Sequence, residues 1–243
     1  MRYNFRRYLS SDLSRNILTL MSGTVLSQAI PLLFSVILAR VYAPELYGAY
    51  FVFLSLLSIG LIFATGKFEL AILIANDDEE ALSLLNAAAF TAVFVCIFLL
   101  VIVVLFMHSL SNMLNFQGYG LWLFFVPLSL LLSSVNEVFY YWHNRHKRYR
   151  ILANAKILQS SVSSILQLIL GLTFANSGGL IYGLMCGQFI SLVFLYYHIR
   201  VFDSEYIKIR FVRDFRKTAT RFIRFPRDIA SAALVTEIGR AHV

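Results

Sequence analysis

The sequence predicts an all-α integral membrane protein with six membrane-spanning helices. Three observations lead there. Hydrophobic residues make up 59% of the 243 positions and charged residues 14%, against about half and about a quarter in a soluble domain. The mean hydropathy is +0.72. The apolar residues also fall in six blocks, each long enough for the roughly 20 helical residues that a bilayer core demands. In lipid the backbone must satisfy its own hydrogen bonds, and a helix does so within a single segment.

The blocks are expected at about residues 17–40, 49–74, 84–107, 119–142, 157–175 and 180–198. The first is uncharged from Ile17 to Leu38 and has no small-residue cleavage site at its end, so it reads as a retained span rather than a signal peptide. A turn with Pro44 and Gly48 leads to the second, read as one helix that continues through Lys67 and Glu69. The acidic run Asp77, Asp78, Glu79, Glu80 suits the start of the third helix, where the helix dipole favours negative charge. The fourth runs through Glu137 to Trp142, and Lys156 is expected to open the fifth. Pro31 and Pro127 lie mid-span, where each frees a carbonyl. Residues 199–227 read as a basic linker, 228–236 as the start of a seventh helix that stops short, and 237–243 as a non-native tail, a translated sequencing-library adapter. The chain is thus expected to be an N-terminal fragment.

Loop charge predicts the topology. Four arginines precede the first span, four Lys/Arg (Arg145, Lys147, Arg148, Arg150) separate the fourth from the fifth, and nine lie in 199–227. The opposite loops hold only Arg40. By the positive-inside rule both termini, including residues 1–16, are expected in the cytoplasm. The net charge of +8 is therefore distributed by loop and makes no single patch, which argues against a nucleic-acid partner. Cys96 and Cys186 both lie in apolar blocks and have neither disulfide nor metal-ligand spacing. There is no HExxH, Walker loop or Gly-x-Ser-x-Gly, so no catalytic residue, metal or cofactor is expected. His143 and His146, beside arginines, read as basic surface.

Ionisable groups within a membrane helix are costly and tend to face a cavity or a partner. Lys67, Glu69, Glu137 and Lys156 are candidates on this ground, at similar depths near one end of their spans. Lys67 and Glu69 do not face each other on a continuous helix, so Lys67 is expected to be held by a carboxylate of another helix, Glu137. Arg40 is a candidate at the opposite mouth, where a loop salt bridge with Glu45 is the plainer expectation. Gln28 shares a helical face with Thr24, Pro31 and Ser35, and that face is expected to look inward. Gln159 and Gln167 suit bonding between helices, and Gly171, Gly179, Gly183 and Gly187 suit close packing.

Several stretches resemble a known family. These are Ser22-Gly23 and Ser27-Gln28, the run from Ala39 to Tyr50, Lys67-Phe68-Glu69-Leu70-Ala71-Ile72 with the acidic turn, Trp142-His143-Asn144-Arg145 with Lys147, and Gly179 to Gly183 with Gly187-Gln188. In order and spacing they resemble the polysaccharide biosynthesis (O-antigen flippase-like) family of the multidrug/oligosaccharidyl-lipid/polysaccharide exporter superfamily, over roughly residues 15 to 235. The resemblance implies one six-helix lobe of a two-lobe, V-shaped exporter in the bacterial cytoplasmic (inner) membrane. It implies transport of a polyprenyl-diphosphate-linked oligosaccharide for surface polysaccharide synthesis. Membrane lipids and other polysaccharide assembly proteins are the partners it suggests. A multidrug exporter of the same superfamily is the alternative. A membrane polymerase or ligase is a further one, against which the short and almost uncharged outer loops count.

Overall fold

The computed structural model describes residues 12–113, 120–174 and 178–203. The basic linker, the seventh helix and the tail lie outside the described residues, apart from the linker's first residues up to Asp203. The elements are α1 (Asp12–Val41), α2 (Pro44–Ala64), α3 (Phe68–Ile72), α4 (Asp78–Met113), a 3₁₀ turn (Gly120–Phe124), α5 (Phe125–Arg145), α6 (Tyr149–Phe174) and α7 (Gly178–Phe202). No strand occurs among them. Six helices are long and apolar enough to cross a membrane, the 3₁₀ turn and α5 counting as one. The all-α, six-span expectation therefore holds.

The second span departs from its expected single helix. α2 ends at Ala64, and the chain turns through Thr65, Gly66 and Lys67 before α3. Gly66 has φ 57° and Lys67 φ 59°. Two successive left-handed residues cannot continue a right-handed helix. Glycine adopts that conformation freely, whereas lysine does so at a cost of order 1 kcal/mol. Arg145 closes the far end of the short helix. Its guanidinium donates to the carbonyls of Ile72 and Ala75 at 3.0 and 2.9 Å and to Asp78 Oδ1 at 3.0 Å. Carbonyls that a broken helix leaves without partners are thereby satisfied.

α4 starts where the acids foretell. Asp77 accepts the Glu80 N–H at 2.7 Å, and Glu80 accepts the Asn76 N–H at 2.8 Å. Asp78, Glu79 and Glu80 occupy the first turn. α6 begins at Tyr149, earlier than the expected 157, because a helix continues past the apolar stretch that hydropathy detects. Lys156 consequently lies about two turns inside α6 and does not open it.

α6 lies between α1 and α7, while α5 packs on α2, α3, α4 and α7. Small residues permit the close approaches. Gly23 of α1 sits against Ala153 of α6, and Gly183 and Gly187 of α7 sit against Gln159, Ser163 and Gln167 of α6. Amides tie the helices together in the way polar groups do in lipid. Gln167 Nε2 donates to the Leu180 carbonyl at 2.9 Å and to the Tyr50 hydroxyl at 3.3 Å, and the Gln167 main-chain carbonyl accepts from the Tyr42 hydroxyl at 2.6 Å. Gln188 accepts from Ser129 at 2.9 Å and donates to Ser133 at 2.8 Å.

His143, expected at a basic surface, is fully buried, with Nε2 3.1 Å from the Leu195 carbonyl. It faces α7 from the last turn of α5, on the side away from water. The outside of the lobe is apolar: Leu32, Leu33, Phe94, Phe98, Leu105 and Leu172 are each more than half exposed. Such a surface is stable against lipid or an apolar partner and not against water.

Candidate functional site

One face of α6 carries the site. Lys156, Gln159, Ser160, Ser163, Ser164 and Gln167 fall at positions i, i+3, i+4, i+7, i+8 and i+11. In a helix of 3.6 residues per turn these positions form a single stripe. Two cavities, of about 340 and 290 Å³, open along it and share Lys156 and Gln159. The first lies between α5, α6 and α7 and is also lined by Asn136, Glu137, Tyr140, Tyr141 and Ser191. The second lies between α1, α2, α6 and α7 and is lined by Ser27, Pro31, Tyr50 and the rest of the stripe.

The chemistry of the lining is mostly uncharged. Hydroxyls and amides both donate and accept, so the groove offers many hydrogen bonds and few charges. Among the described residues its one cation is Lys156 and its one carboxylate is Glu137. The Lys156 ammonium stands 4.8 Å from the centroid of the Tyr140 ring, a cation–π contact that keeps the charge in place without neutralising it. Asn136 donates to the Leu132 and Gln188 carbonyls, while its buried Oδ1 has no hydrogen-bond partner among the described residues.

The remaining ionisable candidates divide into two sets. Lys67 and Glu69 meet at the break in the second span, with Nζ 3.6 Å from Oε1. The expected Lys67–Glu137 ion pair is absent among the described residues. The left-handed turn at Lys67 brings its own neighbour within reach, which a continuous helix would not. Glu137 nevertheless lies within electrostatic range of both Lys67 and Glu69. The structure thus pairs Lys67 with Glu69 at the helix break and places Glu137 and Lys156 together on the first cavity.

Arg40 and Gln28 stand apart from both pairs. Arg40 is exposed in the last turn of α1 and makes no ion pair with Glu45 among the described residues. Gln28 is exposed and lines neither cavity. The close contact of Gly23 with Ala153 sets the rotation of α1. That rotation turns Ser27, and not Gln28, toward the groove. Pro31 does line it, but Ser35 is exposed.

A family model described as polysaccharide biosynthesis protein matches residues 37–224, well over half of the chain. The chain belongs to that family. No curated protein and no solved structure matches it. With its six apolar helices, the chain is a multi-pass membrane protein.

A further charged cluster is not visible in the sequence pattern. Asp203, just past α7, is almost fully buried and accepts two bonds from Arg148, both 2.6 Å, and one from the Trp142 indole at 3.0 Å. It ties the end of α7 to the turn between α5 and α6. Burial pushes the Asp203 carboxyl up, but the Arg148 and Trp142 bonds outweigh burial and hold it below the usual carboxylate value. A depressed folded-state pKa adds stability that is complete above the unfolded value of about 3.9 and disappears as pH falls through the folded value. Asp203→Asn is expected to lower stability by about 3 kcal/mol at neutral pH, because Arg148 is left without its carboxylate. The variant should also lose part of the wild-type dependence on acid below pH ~4. Thermal unfolding of both proteins across that pH range checks this.

Proposed function

We propose that the chain is one lobe of a flippase that moves a polyprenyl-diphosphate-linked oligosaccharide from the cytoplasmic to the periplasmic leaflet of the bacterial inner membrane. The product would serve O-antigen, capsule or exopolysaccharide synthesis. The observation that supports this most is the polar stripe of α6. A hydroxyl- and amide-rich groove with tyrosines at its walls matches the hydrogen-bonding needs of a glycan, and Lys156 supplies a point charge for phosphate. A multidrug exporter that takes apolar cations fits less well, since Lys156 would repel them. The two-lobe arrangement and cytoplasmic termini belong to the same proposal. A single cysteine in place of Lys147 should then be shielded from an impermeant thiol reagent, and one in place of Ser111 should be reached. Reversed labelling contradicts that orientation.

The function is tested in cells that make the complete protein. Deleting the gene is expected to stop surface polysaccharide and to accumulate lipid-linked oligosaccharide in the membrane. The double variant Gln159→Leu/Ser164→Ala, which removes polarity from the stripe at little change in volume, should reproduce both effects at normal protein abundance. Loss of surface polysaccharide with no accumulation of the lipid-linked form would instead place the protein before this intermediate and sink the flippase reading.

A further inference from the structure

The two cavities along α6 differ in what their walls are still free to donate. In the second, Tyr50 accepts the Gln167 side-chain amide at 3.3 Å and donates to no group among the described residues, so its O–H is uncommitted. Gln159 and Ser164 line the same cavity and make no side-chain hydrogen bond among the described residues. Ser163, on the wall toward Gly187, has a buried hydroxyl without a partner there. Lys156 adds an ammonium whose contact is the Tyr140 ring. Ser27 and Ser160 differ, since each gives its proton to a carbonyl of its own helix, Thr24 at 2.8 Å and Ile157 at 3.0 Å. Among the described residues no carboxylate lines this cavity.

The first cavity has the opposite balance. Asn136 commits its amide N–H groups to the Leu132 and Gln188 carbonyls at 2.9 and 2.8 Å, which leaves it only an acceptor, Oδ1. Glu137 brings a carboxylate, which only accepts when ionised. The Tyr140 and Tyr141 hydroxyls can donate there, but an anion bound to them would sit beside the like charge of Glu137. Uncommitted donors, a fixed cation and no carboxylate are what a phosphate requires, because its oxygens accept charge-assisted hydrogen bonds. The second cavity meets that requirement and the first does not. Its volume of about 290 Å³ is near the lower bound of small-ligand pockets, roughly 300 Å³, which suits phosphate groups and is too small for an oligosaccharide.

We propose that the α1–α2–α6–α7 cavity is a subsite for the phosphate groups of a membrane lipid, held by the Tyr50 and Ser164 hydroxyls, the Gln159 amide and the Lys156 ammonium. Two kinds of lipid carry such groups, a polyprenyl diphosphate and an anionic phospholipid. Assigning the phosphates to the polyprenyl carrier rests on the flippase reading, whereas the binding of the anion does not.

The test is calorimetric titration of the complete purified protein, in phosphatidylcholine nanodiscs, with farnesyl diphosphate; farnesol and protein-free nanodiscs supply the background. Saturable binding is expected for the diphosphate above that background. Tyr50→Phe and Ser164→Ala should each weaken it about 10-fold or more, as the loss of a hydrogen bond to a charged group does. Tyr141→Phe, which removes a hydroxyl from the first cavity, and Tyr47→Phe, which lies on neither, should leave it unchanged. Tyr50→Phe costs Gln167 a partner; should it fail to fold, Ser164→Ala decides. No saturable binding by the wild type, unchanged affinity in a folded Tyr50→Phe, or a loss in Tyr141→Phe of the size expected for Tyr50→Phe overturns the proposal. Repeating the titration in nanodiscs that contain phosphatidylglycerol separates the sources. Binding that persists there assigns the subsite to the diphosphate carrier, and displacement assigns it to phospholipid headgroups. Tyr50-dependent binding by a protein that moves no lipid-linked glycan would overturn the flippase reading alone.

Discussion

Replacing Lys156 with glutamate is expected to abolish surface polysaccharide export while the helices remain folded. Lys156 lines both cavities, so any anionic group travelling along the stripe passes it. Removing one charge-assisted contact costs about 1.5–3 kcal/mol, or roughly 10- to 100-fold in the rate or affinity it supports. Lys156→Met should show a loss of that size. Lys156→Glu should exceed it, because the new carboxylate repels a diphosphate and adds to the negative charge of Glu137. Lys156→Arg keeps the charge and the contact with Tyr140, and should retain most of the activity. Export is read as surface polysaccharide per molecule of protein in the membrane. The methionine variant separates loss of the charge from the added repulsion.

The second large effect is on folding. A Cβ at Gly187 would lie 2.6 Å from the Gln159 carbonyl and against the Ser163 hydroxyl. The first of these is backbone and cannot swing away. Gly187→Leu must therefore push α7 off α6, which breaks the close packing that holds helices together in lipid and adds an overpacking cost of about 1–3 kcal/mol or more. Little folded protein is expected. Gly48 is the contrast, since a Cβ there meets nothing within 4 Å. Gly48→Ala should be neutral or should stabilise by up to about 1 kcal/mol, as a helical glycine-to-alanine change does. Size-exclusion profiles and thermal unfolding of the two variants, side by side, check the prediction.

The spans were legible because a bilayer imposes a length and a composition on each segment separately. Backbone geometry was not. Hydropathy runs on from Ala64 through Ile74, and only Gly66 followed by a charge marks the place where α2 and α3 part. Once the chain turns there, Lys67 and Glu69 meet, although the two-residue spacing says they should not. Gln28 shows a related limit: helical spacing groups residues on a face but does not say which face packs within the lobe. The contact of Gly23 with Ala153 decides that.

The central feature of the site could have been read from the sequence. Lys156, Gln159, Ser160, Ser163, Ser164 and Gln167 form an unbroken polar stripe along one face of the helix. Taken singly, the glutamines resemble helix glue and the serines resemble tolerated small residues. Their common face is the signal. Asp203 and Arg148 were illegible for another reason. They are 55 residues apart and pair only because α5, α6 and α7 bring their ends to one point. His143 gave no sequence sign of being buried, since arginines flank it on a helix end that packs inward.

The flippase reading is tested most directly by reconstitution. The complete protein is placed in liposomes that carry a labelled polyprenyl-diphosphate-linked oligosaccharide in the inner leaflet, and an external glycan-cleaving enzyme reports its arrival outside. The wild type is predicted to expose the inner pool far faster than protein-free liposomes, and Lys156→Glu to fall to the protein-free rate. Exposure by the wild type no faster than in protein-free liposomes, or equal rates for wild type and Lys156→Glu, would contradict the account.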